Sequence, residues 1–322
     1  MHNGYLIHGG RNAKTGLVLL LVFMVPALLL INSCSLKKTQ EVLRFGIMPD
    51  VDSMPFLAAK SHGLFEKHEV NVELVSFSNA QERDAAFQAG RLDGTISDLL
   101  AAVLLASGGF DIKVTSATDG RYGIALAPGS VVSSVKELQG KKIGLSTNTI
   151  IQYSIDAIAK SAGLEANTYI PMVIPKMPVR MELLLSGQVD AAGLPEPFLS
   201  MAELRGSRIL ATSSEYGLDA AVVLFDKAYL DKNLSKVKRL YKAYAEAAED
   251  INAYPASYRT FLVEKAAFPE EVARLFRFVD YREPILPSMD QLKAVIAWLS
   301  GRSLLSRPVD AASLMDDRAI GK

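Results

Sequence analysis

Four pairs of landmarks recur at nearly one spacing along this chain. Gly46 and Gly144 stand 98 residues apart, Gly63 and Gly163 100, Gly90 and Gly187 97, and Asp93 and Asp190 97. The hydropathy pattern around each set is the same. Residues 43–48, 70–77 and 92–96 read as strands separated by helices that begin near Met54 and Gln81, and residues 142–145, 169–174 and 189–193 read as strands separated by helices over 150–162 and 179–186. Strands that alternate with helices are joined by crossovers and pair in parallel. The expected fold is therefore α/β, with two β-α-β-α-β lobes of mainly parallel sheet. The apolar stretches 122–127 and 220–225 are the natural crossings, a two-strand hinge. Helices near 234–254, 258–266, 269–276 and 289–299 form a helical C-terminal tail. The lobes expected are residues 41–122 with 220–322, discontinuous, and residues 123–219. Tyr241, Tyr244 and Trp298 in the tail are read as core.

The first 33 residues obey another rule. Arg11 and Lys14 precede an apolar run over 17–31, and no acidic residue occurs before Glu41, which is the layout of an export signal. The run is 15 residues long and interrupted by Pro26, short of the roughly 20 that span a bilayer. Ile31-Asn32-Ser33-Cys34 follows and resembles the lipobox of bacterial lipoproteins. Cys34 is the sole cysteine and cannot form an internal disulfide. The resemblance implies cleavage before Cys34, a diacylglyceryl thioether on it, a lipidated tether over 34–40 and attachment to a bacterial membrane, periplasmic or outer face, through two acyl chains.

Charge narrows the partners. The 322 residues include 35 basic and 35 acidic ones, and loss of residues 1–33 leaves a net charge of −2, so no basic field is available for nucleic acid. Beyond the leader only His62 and His68 join the single Cys, and no zinc-ligand spacing arises. No cofactor or metal is expected. No P-loop lysine, G-x-S-x-G elbow or H-E-x-x-H helix occurs either.

Several short motifs then fall in a telling order. These are Phe56-Leu57-Ala58-Ala59 with Gly63-Leu64-Phe65-Glu66, Phe87-Gln88-Ala89-Gly90-Arg91-Leu92-Asp93, residues 135–144, and Gly187-Gln188-Val189-Asp190-Ala191-Ala192 running into Glu196-Pro197. Together they resemble the periplasmic-binding-protein type II family, in its branch for sulfonates, nitrate, taurine and thiamine pyrimidine precursors. The resemblance covers roughly residues 43–225. It implies a solute-binding subunit of an ABC transporter, with a small-molecule ligand and permease subunits as partners, and no catalysis. A pyrimidine-precursor synthase of the same fold is the rival from another class, and that enzyme branch carries a cysteine-rich motif this chain lacks. A ligand-sensing module is a further alternative.

In open α/β sheets, ligands sit beyond the carboxyl ends of the strands, where helix starts point backbone N–H groups into the crevice. Four loops qualify: Asp50 to Ser53, Ser97-Asp98, Ser146-Thr147-Asn148-Thr149, and the turn at Glu196. Arg121 and Tyr122 stand beside a crossing. Ser53 and Asp98 are equally suited to capping helices. With Asp50, Asp52, Asp98 and Glu196 set against Arg121 alone, the expected ligand is a neutral or cationic nitrogen-bearing molecule such as an aminopyrimidine. The alternative is a sulfonate- or nitrate-type anion held by helix starts and Arg121.

Overall fold

The computed structural model describes residues 41–165, 168–218, 220–266 and 268–320, so Cys34, the leader and the tether lie outside the described residues. The first copy of the repeat supplies β1 (Leu43–Ile47), α1 (Met54–Ser61), α2 (Leu64–Lys67), β2 (Val72–Ser76), α3 (Ala80–Gln88) and β3 (Gly94–Asp98), followed by α4 (Leu99–Gly108) and β4 (Ile112–Ala117). The chain then enters β5 (Tyr122–Leu126) and the second copy: β6 (Lys142–Leu145), α5 (Ile150–Ser161), β7 (Ile170–Val173), α6 (Met177–Leu185), β8 (Ala191–Pro195), α7 (Phe198–Leu204) and β9 (Arg208–Thr212). After β10 (Ala221–Asp226) comes the tail: α8 (Lys227–Ala253), α9 (Arg259–Ala266), α10 (Glu270–Leu275), α11 (Met289–Gly301) and α12 (Ala311–Leu314). A non-helical Asn233 kinks α8.

Two five-stranded sheets result, ordered β2-β1-β3-β10-β4 and β7-β6-β8-β5-β9. They are mixed, four strands of each running one way and one against them, and the reason lies in the crossings. β4 and β9 each end at the junction between lobes, so the strand after each crossing must run away from it. β10 is accordingly antiparallel to β3 and β4, and β5 to β8 and β9. The stretches 122–126 and 221–226 lie inside the sheets, and the crossings are the connections just before them. Hydropathy marks no element over 99–117, where α4 and β4 form. Leu99-Leu100-Ala101-Ala102-Val103-Leu104-Leu105 is apolar on every side, so α4 shows no stripe for a periodicity to detect.

The repeat has a physical basis. Asp93 Oδ2 accepts from the Arg44 N–H at 2.8 Å, and Asp190 Oδ2 accepts from the Lys142 N–H at 2.7 Å, so each copy uses its aspartate to pin the start of its first strand. Gly90 and Gly187 close the preceding helices at φ +67° and +70°, a conformation that favours glycine. The first sheet packs on α1 and α8 through aromatics, with Phe45 and Phe56 ring centres 4.7 Å apart and Phe56 and Tyr244 4.9 Å apart. Another cluster joins Leu99 and Val103 of α4 with Leu292, Val295 and Leu299 of α11 and with Leu145, Ile150 and Tyr153 of the second copy. That core is continuous from one lobe to the other. Among the described residues, no helix is long and apolar enough to cross a membrane.

Candidate functional site

Parallel strands in each sheet end on the same side, so the segments that follow them face one another. One cavity is lined by all six: Met48, Asp50 and Asp52 after β1; Ser78 to Gln81 and Arg83 after β2; Ser97 and Asp98 closing β3; Ser146 and Thr149 after β6; Pro175 and Met177 after β7; and Pro195 closing β8. Ile96, Ile150, Ile151 and Tyr122 complete the wall. Its interior offers about 70 Å³ of room, enough for a few waters or the reactive end of a small solute.

The polar groups are unevenly satisfied. Asp52, 2% exposed, receives the Tyr122 hydroxyl on Oδ2 at 3.0 Å, a bond between the turn after the first sheet's β1 and the second sheet's β5. Its Oδ1 has no well-formed partner, and the neighbouring Thr118 hydroxyl faces it without closing a hydrogen bond. Burial raises the Asp52 pKa to about 6, against the hydrogen bonds that favour its ionised form and with the Asp119 charge adding to the rise. Burial also pushes Asp50 well above the ordinary carboxylate range, helped by the Asp52 charge. Ser97 is 4% exposed and its hydroxyl has no partner among the described residues. Asp98 caps α4 by accepting from the Ala101 N–H at 2.8 Å while still lining the cavity, and burial raises its pKa too. A Cβ at Gly120 would press on the Asp52 carboxylate and the Tyr122 hydroxyl, so a side chain in this crossing would have to displace that pair.

The cation of the cavity is Arg83, which the sequence reading missed. It projects from α3, whose N-cap Asn79 accepts from the Glu82 N–H at 2.9 Å. Arg83 is 5% exposed, with Nε 2.9 Å from Asp84 Oδ1 and Nη1 3.6 Å from Met48 Sδ. At the facing helix start, the Thr149 hydroxyl donates to Ser146 O at 2.9 Å and caps nothing, so α5 opens on the cavity with its first N–H groups uncapped by a side chain.

Five expected residues stand elsewhere. Ser53 is fully buried, its hydroxyl donating to Met48 O at 2.6 Å and closing the turn after β1. Glu196, 1% exposed, does not line the cavity. It accepts from the Ser200 N–H at 3.1 Å and lies 3.5 Å from Arg121 Nη1, so those two groups serve each other and the start of α7. The backbone joins them again through Glu196 N–H to Arg121 O at 3.0 Å. Thr147 is outside the lining, and Asn148, at φ +57°, turns its N–H to Gln152 Oε1 and borders a neighbouring groove. Asp50, Ser97, Asp98, Ser146 and Thr149 are brought together.

Two mixed α/β sheets joined by two short crossings, with a cavity between facing strand ends, define a two-lobed protein of the periplasmic-binding-protein fold. The chain belongs to the NMT1/THI5-like family, whose model matches residues 50–257. It is similar to an ABC transporter periplasmic binding protein of Brachyspira hyodysenteriae, 24% identical over 75% of this chain and 76% of that one. The periplasmic aliphatic sulphonate binding protein SsuA of Escherichia coli shares the fold with a TM-score of 0.74 at 19% identity, over 85% of this chain and 91% of that one. The fold also serves catalysis. The desulfurization enzyme DSZB superposes with a TM-score of 0.64 at 14% identity, over 87% of this chain and 97% of the enzyme.

Proposed function

We propose that this protein is the extracytoplasmic solute-binding component of an ABC transporter, capturing a small nitrogen-bearing molecule between its lobes and passing it to the permease. The observation that carries the ligand class is the set of charges in the lining. Asp50, Asp52 and Asp98 border the cavity with Arg83, and that guanidinium is already engaged by Asp84. At an effective dielectric near 20, two like charges about 4 Å apart repel by roughly 4 kcal/mol, so each of these carboxylates opposes a compact anion to the extent that it is ionised. Amino and ring N–H groups instead supply the donors that carboxylates accept. Ring nitrogens would take hydrogen bonds from Ser97 and the start of α5. An aminopyrimidine offers both, and the relative's description as a transporter binding protein supports the uptake role.

A second reading has an observation in its favour. Arg83 together with the uncapped start of α5 is a combination that holds anions, and the sulphonate-binding protein has the same fold. Mass spectrometry of whatever leaves the purified mature protein on denaturation, followed by calorimetry with that compound, decides between them. Recovery of a sulfonate would overturn the amine reading. Recovery of a chemically altered compound after incubation would instead mark an enzyme.

The lobes of this reading are residues 41–122 with 220–322, and residues 123–219, moving about the two crossings. Cys34 carries the lipid that keeps the protein at the membrane outside the cytoplasm. Its support is the leader and the Ile31-Asn32-Ser33-Cys34 sequence. Cys34→Ala should move the protein from the membrane to the soluble fraction, and retention after that change would point to an uncleaved helix.

A further inference from the structure

A second recess opens beside the cavity, between α3 and α4. It shares Ala80, Asp98 and Thr149 with the cavity, so the two adjoin. Its room is about 290 Å³, four times that of the cavity itself. One wall is the stripe Ala80, Asp84, Gln88 of α3, spaced by four residues, and the other is Ala101, Leu104 and Leu105 of α4, with Phe110 at the outer end.

Asp98 borders both spaces, and Asp84 and Gln88 make the α3 side of the groove polar. Opposite them, the α4 wall is wholly apolar, and Phe110 is left 41% exposed. A helix apolar on every side is ordinarily covered on every side. α4 is covered by its sheet and by α11, yet its Leu104 stripe borders open space.

From this adjacency and the apolar α4 wall we infer that the groove between α3 and α4 takes the apolar tail of a solute whose nitrogen-bearing head occupies the cavity. The ligand class is then an elongated amine or amino-heterocycle with a hydrocarbon or aryl extension, its charged or N–H end near Asp98 and its tail along Ala101, Leu104 and Phe110. This rests on the interlobe capture of a nitrogen-bearing solute proposed above. It adds that the bound molecule is longer than the cavity alone would hold.

Calorimetry of the mature protein with n-alkylamines from propylamine to decylamine, and with n-alkanesulfonates of the same lengths, tests the groove and the head separately. Affinity for the amines should rise with chain length by up to about fourfold per methylene until the groove is filled. Leu104→Gln should flatten that rise while leaving propylamine affinity unchanged, and the surface variant Gln88→Leu should steepen it for the longest members. Amine affinity independent of length in the wild type, or a rise untouched by both variants, would overturn the groove while sparing the amine-binding cavity. A length-dependent rise for the sulfonates alone would overturn the amine class. Failure of both series to bind would remove the capture reading and the tail with it.

Discussion

Asp52 is one of three cavity carboxylates that burial shifts upward, with Asp50 and Asp98. Its folded pKa of about 6 lies above the ordinary carboxylate value, so the native state holds this proton more tightly than the unfolded chain does. Stability from this group is therefore greatest in acid. It declines as pH rises through the window between about 4 and about 6, and is flat above it. A cationic ligand needs the ionised form, and its affinity should move the opposite way. Calorimetry between pH 7 and pH 5 should show weakening of up to about tenfold per unit below pH 6, and Asp52→Asn should bind more weakly with a flatter profile. Arg83→Gln separates the two ligand readings. It should leave or improve binding of a cationic solute, whereas loss of roughly tenfold or more would identify an anion. Glu196 belongs to the scaffold: Glu196→Ala should cost about 1–3 kcal/mol in chemical denaturation by stranding the Ser200 N–H and Arg121. A large affinity loss with unchanged stability would instead return Glu196 to the ligand.

Helix starts decide how the cleft is furnished. α4 spends Asp98 on its own cap, α3 spends Asn79, and α5 leaves its first turn without a side-chain cap because Thr149 bonds back to Ser146. The α5 start is thus the one of the three still able to reach a ligand acceptor. Asn79→Ala should lower stability by about 1 kcal/mol, read from the urea midpoint, since the cap it removes also anchors the turn that carries Arg83. An unchanged midpoint would show that packing of α3 alone holds this turn. The motifs carrying the family resemblance lie mostly in this framework. Asp93 and Asp190 pin strands and Gly90 and Gly187 end helices, which is why such motifs speak for a fold and are nearly silent on a ligand.

Across the molecule, the tail does more than complete the first lobe. Asp156 of α5 accepts from the Tyr169 hydroxyl at 2.6 Å, from Trp298 Nε1 at 3.0 Å and from Arg302 Nη2 at 2.6 Å, while Arg302 lies 3.9 Å over the Trp298 ring. Trp298 and Arg302 extend from or follow α11, which packs on α4. This carboxylate therefore ties the second copy of the repeat to the C-terminal tail. Closure then has to work against that tie or pivot on it. X-ray scattering should show a smaller radius of gyration with ligand than without. Asp156→Asn should weaken the Arg302 pair and enlarge the radius of the unliganded form. An unchanged radius in that variant would mean the shared apolar core sets the interlobe angle by itself.

What the residues alone determined follows from short-range physics. The repeated glycines, aspartates and apolar alternation act within a few turns of chain, so they announce two α/β lobes and the strand-end loops after β1, β3, β6 and β8. Even the missing loops were implicit, since Ser78 and Pro175 stand at the repeat's own offset of 97. Only the tertiary structure decided that the crossings reverse one strand in each sheet, that Arg83 rather than Arg121 faces the cavity, and that Glu196 turns away from it. Those outcomes depend on which side chains two separately encoded lobes present to each other once packed. Charge and hydrogen bonding at that junction are properties of distance in space, which no spacing along the chain records.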